Sequence, residues 1–279
     1  MAFAPHDNPF LQVLLDAALA GARAVMATYE TDFAVERKAD DSPVSEADRQ
    51  AEAAILTRLA AALPDIPVVA EEAVAEGRIP SIGRRFLLVD PLDGTKEFIS
   101  RNGEFTVNIG LIEDGAPIMG VVLAPALGLA YAGSEAGAWT GRIAEGASGI
   151  ADWRPVRCRE AGVSPVAVAS RSHCNAATED ALARAGAGDR RSIGSSLKFC
   201  LLAEAQADFY PRLGPTMEWD TAAGDAVLRA AGGMVVTLDG APLSYGKTGV
   251  AGMREFENPY FLAAGDPAII ARLDLTKAA

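Results

Sequence analysis

The chain opens on two stretches in which apolar residues return every three or four positions, the spacing of a helix with one buried face. In residues 10–29 these are Leu11, Leu14, Leu15, Ala18, Ala22, Val25 and Met26. In residues 45–63 they are Ala47, Ala51, Ala54, Ile55, Leu59 and Ala62, with Pro64 as the stop. The polar, turn-rich segment 38–44 between them reads as an excursion able to fold over a site. Apolar runs at 67–70, 86–90, 106–113, 118–124 and 129–134 then predict strands, with Asp114-Gly115-Ala116-Pro117 as a hairpin connection. Residues 73–85 carry little pattern, and residues 141–159, with Gly, Ser, Arg and Pro but no periodicity, mark a domain boundary. Beyond it strands at 166–170, 191–194, 207–211, 234–238 and 260–264 alternate with helices at 176–185, 197–206, 219–231 and 267–273. The expectation is an α+β domain over 1–155 followed by an α/β domain over 156–279.

Composition narrows the function classes. The 279 residues are half apolar and 22% charged, which is globular, and the formal charge of −12 without a Lys/Arg cluster argues against a nucleic-acid polymer as partner. A small anion is not excluded, because a bound cation reverses the local field. Cys158, Cys174 and Cys200 have no C-x-x-C spacing, which speaks against a disulfide framework or a zinc site and fits a reducing compartment. The first residues lack a basic segment followed by an apolar one, and no apolar run is judged to approach the roughly 20 residues of a membrane span. A cytoplasmic location is expected. With two histidines, Ser-His-Asp and Cys-His schemes have few bases, and a histidine-rich metal site is excluded.

The chemistry concentrates in Asp90-Pro91-Leu92-Asp93-Gly94-Thr95-Lys96, directly after the apolar run Phe86-Leu87-Leu88-Val89. Two carboxylates three residues apart, where a strand gives way to a turn, are what a hard cation such as Mg²⁺ binds, its shell completed by water and substrate phosphate. Upstream, Val68-Val69-Ala70 also ends in a carboxylate pair, Glu71-Glu72. Downstream, Trp219-Asp220 opens a small-residue helical pattern, so Asp220 alone reads as a helix N-cap and beside Asp90 and Asp93 as a metal ligand. The stretch Gly240-Ala241-Pro242-Leu243-Ser244-Tyr245-Gly246-Lys247-Thr248 imitates a phosphate-binding loop, but five residues separate its glycines where four are required.

Asp90 to Thr95, Glu71-Glu72 and Trp219-Asp220-Thr221-Ala222-Ala223 resemble the inositol monophosphatase superfamily of lithium-sensitive, Mg²⁺-dependent phosphatases, from about residue 11 to about residue 273. Gly194-Ser195-Ser196-Leu197-Lys198-Phe199-Cys200 and Tyr210-Pro211-Arg212-Leu213-Gly214-Pro215-Thr216 are similar to the bacterial 3'(2'),5'-bisphosphate nucleotidase branch, which removes a phosphate from adenosine 3',5'-bisphosphate and disposes of this by-product of sulfate assimilation. The resemblance implies a layered α/β/α/β/α sandwich of the sugar phosphatase type, and a bisphosphorylated nucleotide as small-molecule partner. It is compatible with a monomer or a homodimer, and with peripheral attachment to the cytoplasmic face of the inner membrane.

It also implies roles. Glu71, Asp90 and the carbonyl of Leu92 would hold one Mg²⁺, and Asp90, Asp93 and Asp220 a second, with a weaker third near Glu71. Thr95 and Asp48 would form the water-activating pair, although Asp48 by itself reads as a first-turn acid facing the helix dipole. The Gly94 and Thr95 amides would cradle the scissile phosphate. Ser195 and Lys198 would stand near the second phosphate and ribose, with Arg212 as a further phosphate ligand. His173 would lie beside the base, and reads equally as a solvent-exposed histidine. Inositol monophosphatase and fructose-1,6-bisphosphatase activities stay open within the same class, as does a metal-bound nucleotide sensor outside it.

Overall fold

Asn8 starts the first helix. In the computed structural model, which describes residues 4–31, 35–37, 43–169 and 176–273, its side chain accepts from the amides of Phe10 and Leu11 at 3.0 and 3.1 Å. Pro9 occupies the first helical position, where no amide is needed. Helix α1 (Pro9–Tyr29) has the length and composition of a membrane span, with a mean hydropathy of 1.5, which corrects the expectation that no apolar run comes near that length. Small residues supply the apolar character that the run of bulky ones lacks. Leu11, Leu14, Ala18, Ala22 and Val25 are fully buried, so this apolar surface is used inside the fold.

The short antiparallel pair β1 (Val35–Arg37) and β2 (Pro43–Ser45) leads into α2 (Glu46–Ala62), which packs on α1. Then follow β3 (Val68–Ala70), α3 (Glu71–Ala75), β4 (Arg85–Asp93), α4 (Thr95–Ile99), β5 (Thr106–Glu113), β6 (Ala116–Ala124), β7 (Leu129–Ser134), β8 (Gly137–Ile143) and β9 (Ile150–Val156). These strands form one seven-stranded sheet in chain order, parallel between β3 and β4 and antiparallel elsewhere. The second half comprises β10 (Val166–Ala169), α5 (Ala176–Arg184), β11 (Asp189–Ser192), α6 (Leu197–Ala203), β12 (Phe209–Arg212), α7 (Ala222–Ala230), β13 (Met234–Thr237), β14 (Phe261–Ala264) and α8 (Pro267–Leu273). Its five-stranded sheet has the order β11-β10-β12-β14-β13.

Contacts between elements sort these into five layers. Helices α1 and α2 lie on one face of the large sheet, α6 and α7 between the sheets, and α5 and α8 on the outer face of the small one. This is the α/β/α/β/α sandwich that was expected. The middle layer is tight because β6 and β7 present glycine to α7. A Cβ on Gly120 would come within 2.3 Å of the Ala223 carbonyl, and one on its ladder partner Gly133 within 2.6 Å of the Val227 Cα. Helix α7, which follows Asp220 directly, therefore rests on the sheet that carries Asp90 and Asp93.

Several elements differ from the sequence reading. Strands β8 and β9 run through the stretch 141–159 that was read as unpatterned. Gly141 lies beneath Trp153, and a bulge between Thr140 and Arg142 breaks the alternation that would have revealed them. Glu71-Glu72, read as the end of a strand, open the helix α3. The hairpin turn is Asp114 and Gly115 alone, since Ala116 and Pro117 already belong to β6, where Pro117 coincides with a register shift.

Candidate active site

Strand β4 delivers the central acids through a broken ladder. Asp90 pairs with Asn108 and Asp93 with Thr106, with the register slipping between them, where Pro91 has no amide to give. Asp90 is 1% exposed, and its Oδ1 accepts from the Leu92 amide at 3.1 Å. The Leu92 side chain is buried in the core while its carbonyl accepts from the Thr95 hydroxyl at 3.5 Å. Gly94 stands at the N-cap of α4, so the turn that ends the strand also begins a helix.

Glu71 enters from the neighbouring strand. Because β3 pairs parallel with β4, Ala70 lies beside Val89 and Glu71 follows at the level of Asp90. The buried Glu52 of α2 fixes this corner, accepting from the Glu72 amide at 2.8 Å. Asp48, also on α2, is 1% exposed. Asp220 comes from the far half, and it is not the N-cap: that position belongs to Thr221. Its Oδ2 closes a turn by accepting from the Met217 amide at 2.8 Å.

These acids feel one another. Burial, followed by the charges of Glu71, Asp93, Asp220 and Asp48, holds the Asp90 carboxyl well above the usual carboxylate range. Burial and the charges of Asp93 and Glu71 do the same to Asp220. Asp93 is raised by burial, partly offset by Lys198, Ser196 and Arg212. Such a crowd of hard oxygen donors, with the Leu92 carbonyl beside it, fits an Mg²⁺-like cation. Among the described residues no three Asp, Glu, His or Cys side chains stand at ion-coordinating spacing.

Glu71, Asp90, Asp93 and Asp220 line a cavity of about 360 Å³, together with Leu92, Gly94 and Thr95. Ser195, Lys198 and Arg212 line the same cavity and give it cations as well as acids. The Lys198 ammonium donates to the Ser195 carbonyl at 2.5 Å and lies 5.5 Å over the Tyr210 ring. Burial pushes its pKa down to about 8. Arg212 donates from Nη2 to the Pro215 carbonyl at 2.8 Å, leaving its buried Nε without an acceptor among the described residues. Ser195 holds a left-handed backbone with φ 51°, and its buried Oγ also lacks a partner among the described residues. Two unpaired polar atoms in a buried basic wall are groups that a ligand would complete.

Of the residues singled out in the sequence, all but Asp48 and His173 line this cavity. The charge of Asp48 is felt at Asp90, and His173 lies outside the described residues, as does most of the polar excursion 38–44. Tyr210, Glu97 and Arg254 also line the cavity, and sequence reasoning missed them. Tyr210 sat in a quoted motif, but nothing local distinguishes Glu97 or Arg254 from surface charges.

Fold and site together define a sandwich of the sugar phosphatase type with a crowd of carboxylates at the end of one sheet. The chain belongs to the inositol monophosphatase family of metal-dependent phosphatases, whose profile matches residues 6–265. Its relatives place it on the CysQ branch: the 3'(2'),5'-bisphosphate nucleotidase CysQ of Escherichia coli K12 is 47% identical over 224 residues, 80% of this chain and 88% of that protein. The corresponding protein of Buchnera aphidicola is 43% identical over 211 residues, 76% and 77% of the two chains. The crystal structure of CysQ from Bacteroides thetaiotaomicron superposes with a TM-score of 0.73 at 37% identity, covering 91% of this chain and 96% of that one. An inositol monophosphatase from Anabaena, at 24% identity and a TM-score of 0.73, covers 97% and 94% and shares the fold.

Proposed function

We propose that the protein is a Mg²⁺-dependent 3'(2'),5'-bisphosphate nucleotidase that hydrolyses adenosine 3',5'-bisphosphate to AMP and phosphate. The observation that carries this is one cavity lined by both carboxylates and cations, in a chain 47% identical to CysQ of E. coli K12. A substrate with two phosphates has a use for both sets, the carboxylates through bound cations and the basic side chains directly. An inositol monophosphate has a use for one.

Glu71, Asp90 and the Leu92 carbonyl would hold one ion and Asp90, Asp93 and Asp220 a second, with a weaker third near Glu71. When bound, the ions neutralise charge on the attacking and leaving oxygens of an in-line displacement. The chain's own residues do the rest. The Thr95 hydroxyl orients the attacking water and passes its proton toward the Asp48 carboxylate. The main-chain amides of Gly94 and Thr95 hold the scissile phosphate, Ser195 and Lys198 the ribose side, and Arg212 the second phosphate. The reading extends to inhibition by Li⁺, to disposal of a by-product of sulfate assimilation, and to a cytoplasmic enzyme.

Phosphate release from adenosine 3',5'-bisphosphate, inositol 1-phosphate and fructose 1,6-bisphosphate, with Mg²⁺ and after chelation, tests this reading. The nucleotide should be the best substrate, and activity should vanish with chelator and return with Mg²⁺. The nucleotide ranking last would overturn the assignment. Asp93→Asn should abolish turnover in a folded protein, and full Mg²⁺-dependent activity in that variant would remove Asp93 from the metal site.

A further inference from the structure

The loop that imitates a phosphate-binding motif holds an anion, but the anion belongs to the protein. Glu218 is completely buried, and its carboxylate accepts from the Gly246 amide at 2.6 Å, the Lys247 amide at 2.9 Å and the Lys247 ammonium at 2.6 Å. Successive amides aimed at one acceptor form a small anion-binding nest, which here needs the positive φ of Gly246. The chain beyond the nest is tied back to the segment before Asp220. Phe256 donates to the Lys247 carbonyl at 2.8 Å, Glu218 to the Phe256 carbonyl at 2.8 Å, and Asn258 to the Thr216 carbonyl at 2.9 Å.

This fastening places Arg254 on the cavity wall beside Pro215, Thr216 and Met217, on the side from which Arg212 enters. The two buried cations, Lys198 and Arg212, are each held by a backbone carbonyl, that of Ser195 at 2.5 Å and that of Pro215 at 2.8 Å. Arg254 is different. Its side chain is 64% exposed and is tethered by Nε to Glu257 at 3.3 Å, which leaves both Nη groups without a protein acceptor among the described residues. A guanidinium presents a planar fork that matches phosphate oxygens in two-point contacts. Lys96, the other exposed cation of the wall, follows Thr95 and so approaches from the scissile end.

We propose that Arg254 is a specificity-determining residue, closing over the phosphate that is not cleaved and so selecting bisphosphorylated over monophosphorylated nucleotides. The proposal rests on the nucleotidase reading above and adds to it a residue outside the motifs that carry the family resemblance. A bisphosphate brings about −1.5 to −2 of charge on each phosphate. The metal ligands take one phosphate, and Arg254 adds an exposed guanidinium to the buried Arg212 for the other.

The test compares kcat/KM for adenosine 3',5'-bisphosphate and for adenosine 3'-monophosphate, which share base, ribose and scissile group, in the wild type, Arg254→Met and Arg254→Lys at saturating Mg²⁺. The wild type should prefer the bisphosphate. Arg254→Met should reduce that preference by about 10- to 100-fold, mostly through KM, as expected for a lost charge-assisted contact. Arg254→Lys should recover part of it. A preference retained in Arg254→Met, or equal losses on both substrates, overturns the role of Arg254 while the nucleotidase reading stands. A wild type without the preference overturns both. Calorimetric binding of adenosine 5'-monophosphate in chelator gives an independent readout: it should weaken in Arg254→Met relative to adenosine, and unaltered binding counts against the proposal.

Discussion

Asp93 and Asp220 are joined through one hydroxyl. Ser196 Oγ lies 3.1 Å from Asp93 Oδ2 and 2.8 Å from the backbone carbonyl of Asp220, so one donor stands between an acid of the large sheet and the turn carrying the acid of the other half. A hydroxyl has a single proton to give, and two acceptors compete for it. Ser196→Ala should cost about 1–2 kcal/mol, the range for a buried acceptor left unpaired. It should also lower kcat by about tenfold if the two acids drift by a fraction of an ångström. Denaturant unfolding and steady-state kinetics check the two parts separately.

Glu218 is a stronger fastening. Truncating it leaves the Lys247 ammonium and two amides without their shared acceptor. Glu218→Ala should therefore destabilise the protein by about 3–5 kcal/mol, as removal of one partner from a buried ion pair does. Glu218→Gln retains an acceptor oxygen and should lose less. Urea midpoints for the two variants give the ordering.

Gly120→Ala should destabilise through the backbone of α7. The added methyl meets the Ala223 carbonyl, which cannot rotate away as a side-chain tip would. Overpacking of this kind costs about 1–3 kcal/mol. Because α7 follows Asp220, a loss of activity beyond the loss of folded protein is expected, read as specific activity at a temperature where the variant is fully folded.

The pair Arg159 and Asp208 sets an acid limb. Burial works to raise the Asp208 carboxyl, but the Arg159 guanidinium at 2.7 and 2.8 Å and the Val166 amide at 2.6 Å outweigh it, and the net value lies below the usual 3.8. A carboxyl depressed in the fold contributes its stability in full above the free value and loses it as pH falls through the folded value. Asp208→Asn should therefore melt below the wild type near about pH 7, with the gap narrowing towards about pH 3. Melting curves across that interval decide it, and a gap that widens on acidification would contradict the assignment.

How much of this was legible in the chain depends on how local each feature is. Asp90, Asp93 and Gly94 could be read because a strand, a proline and a turn within seven residues suffice to aim them. Most of the second half was also legible, since β10, α5, α6, β13 and β14 keep clear runs. Strands β8 and β9 were hidden because Gly141, Arg142 and Pro155 interrupt the alternation at the sheet's edge. Arg254 was hidden for another reason. Its place depends on Glu218 binding Gly246, a contact between residues 28 apart in sequence that no periodicity records. Glu52 likewise reads as a surface acid of an amphipathic helix until the Glu72 amide is found against it.

Helix α7 rests in the glycine track of the large sheet while its own half supplies Asp220, and this bears on how turnover proceeds. Halves keyed together this way carry the acids of the large sheet and Asp220 on elements packed against each other. The entropy lost in gathering distant acids is settled once, when the polypeptide folds, and does not recur with each catalytic cycle.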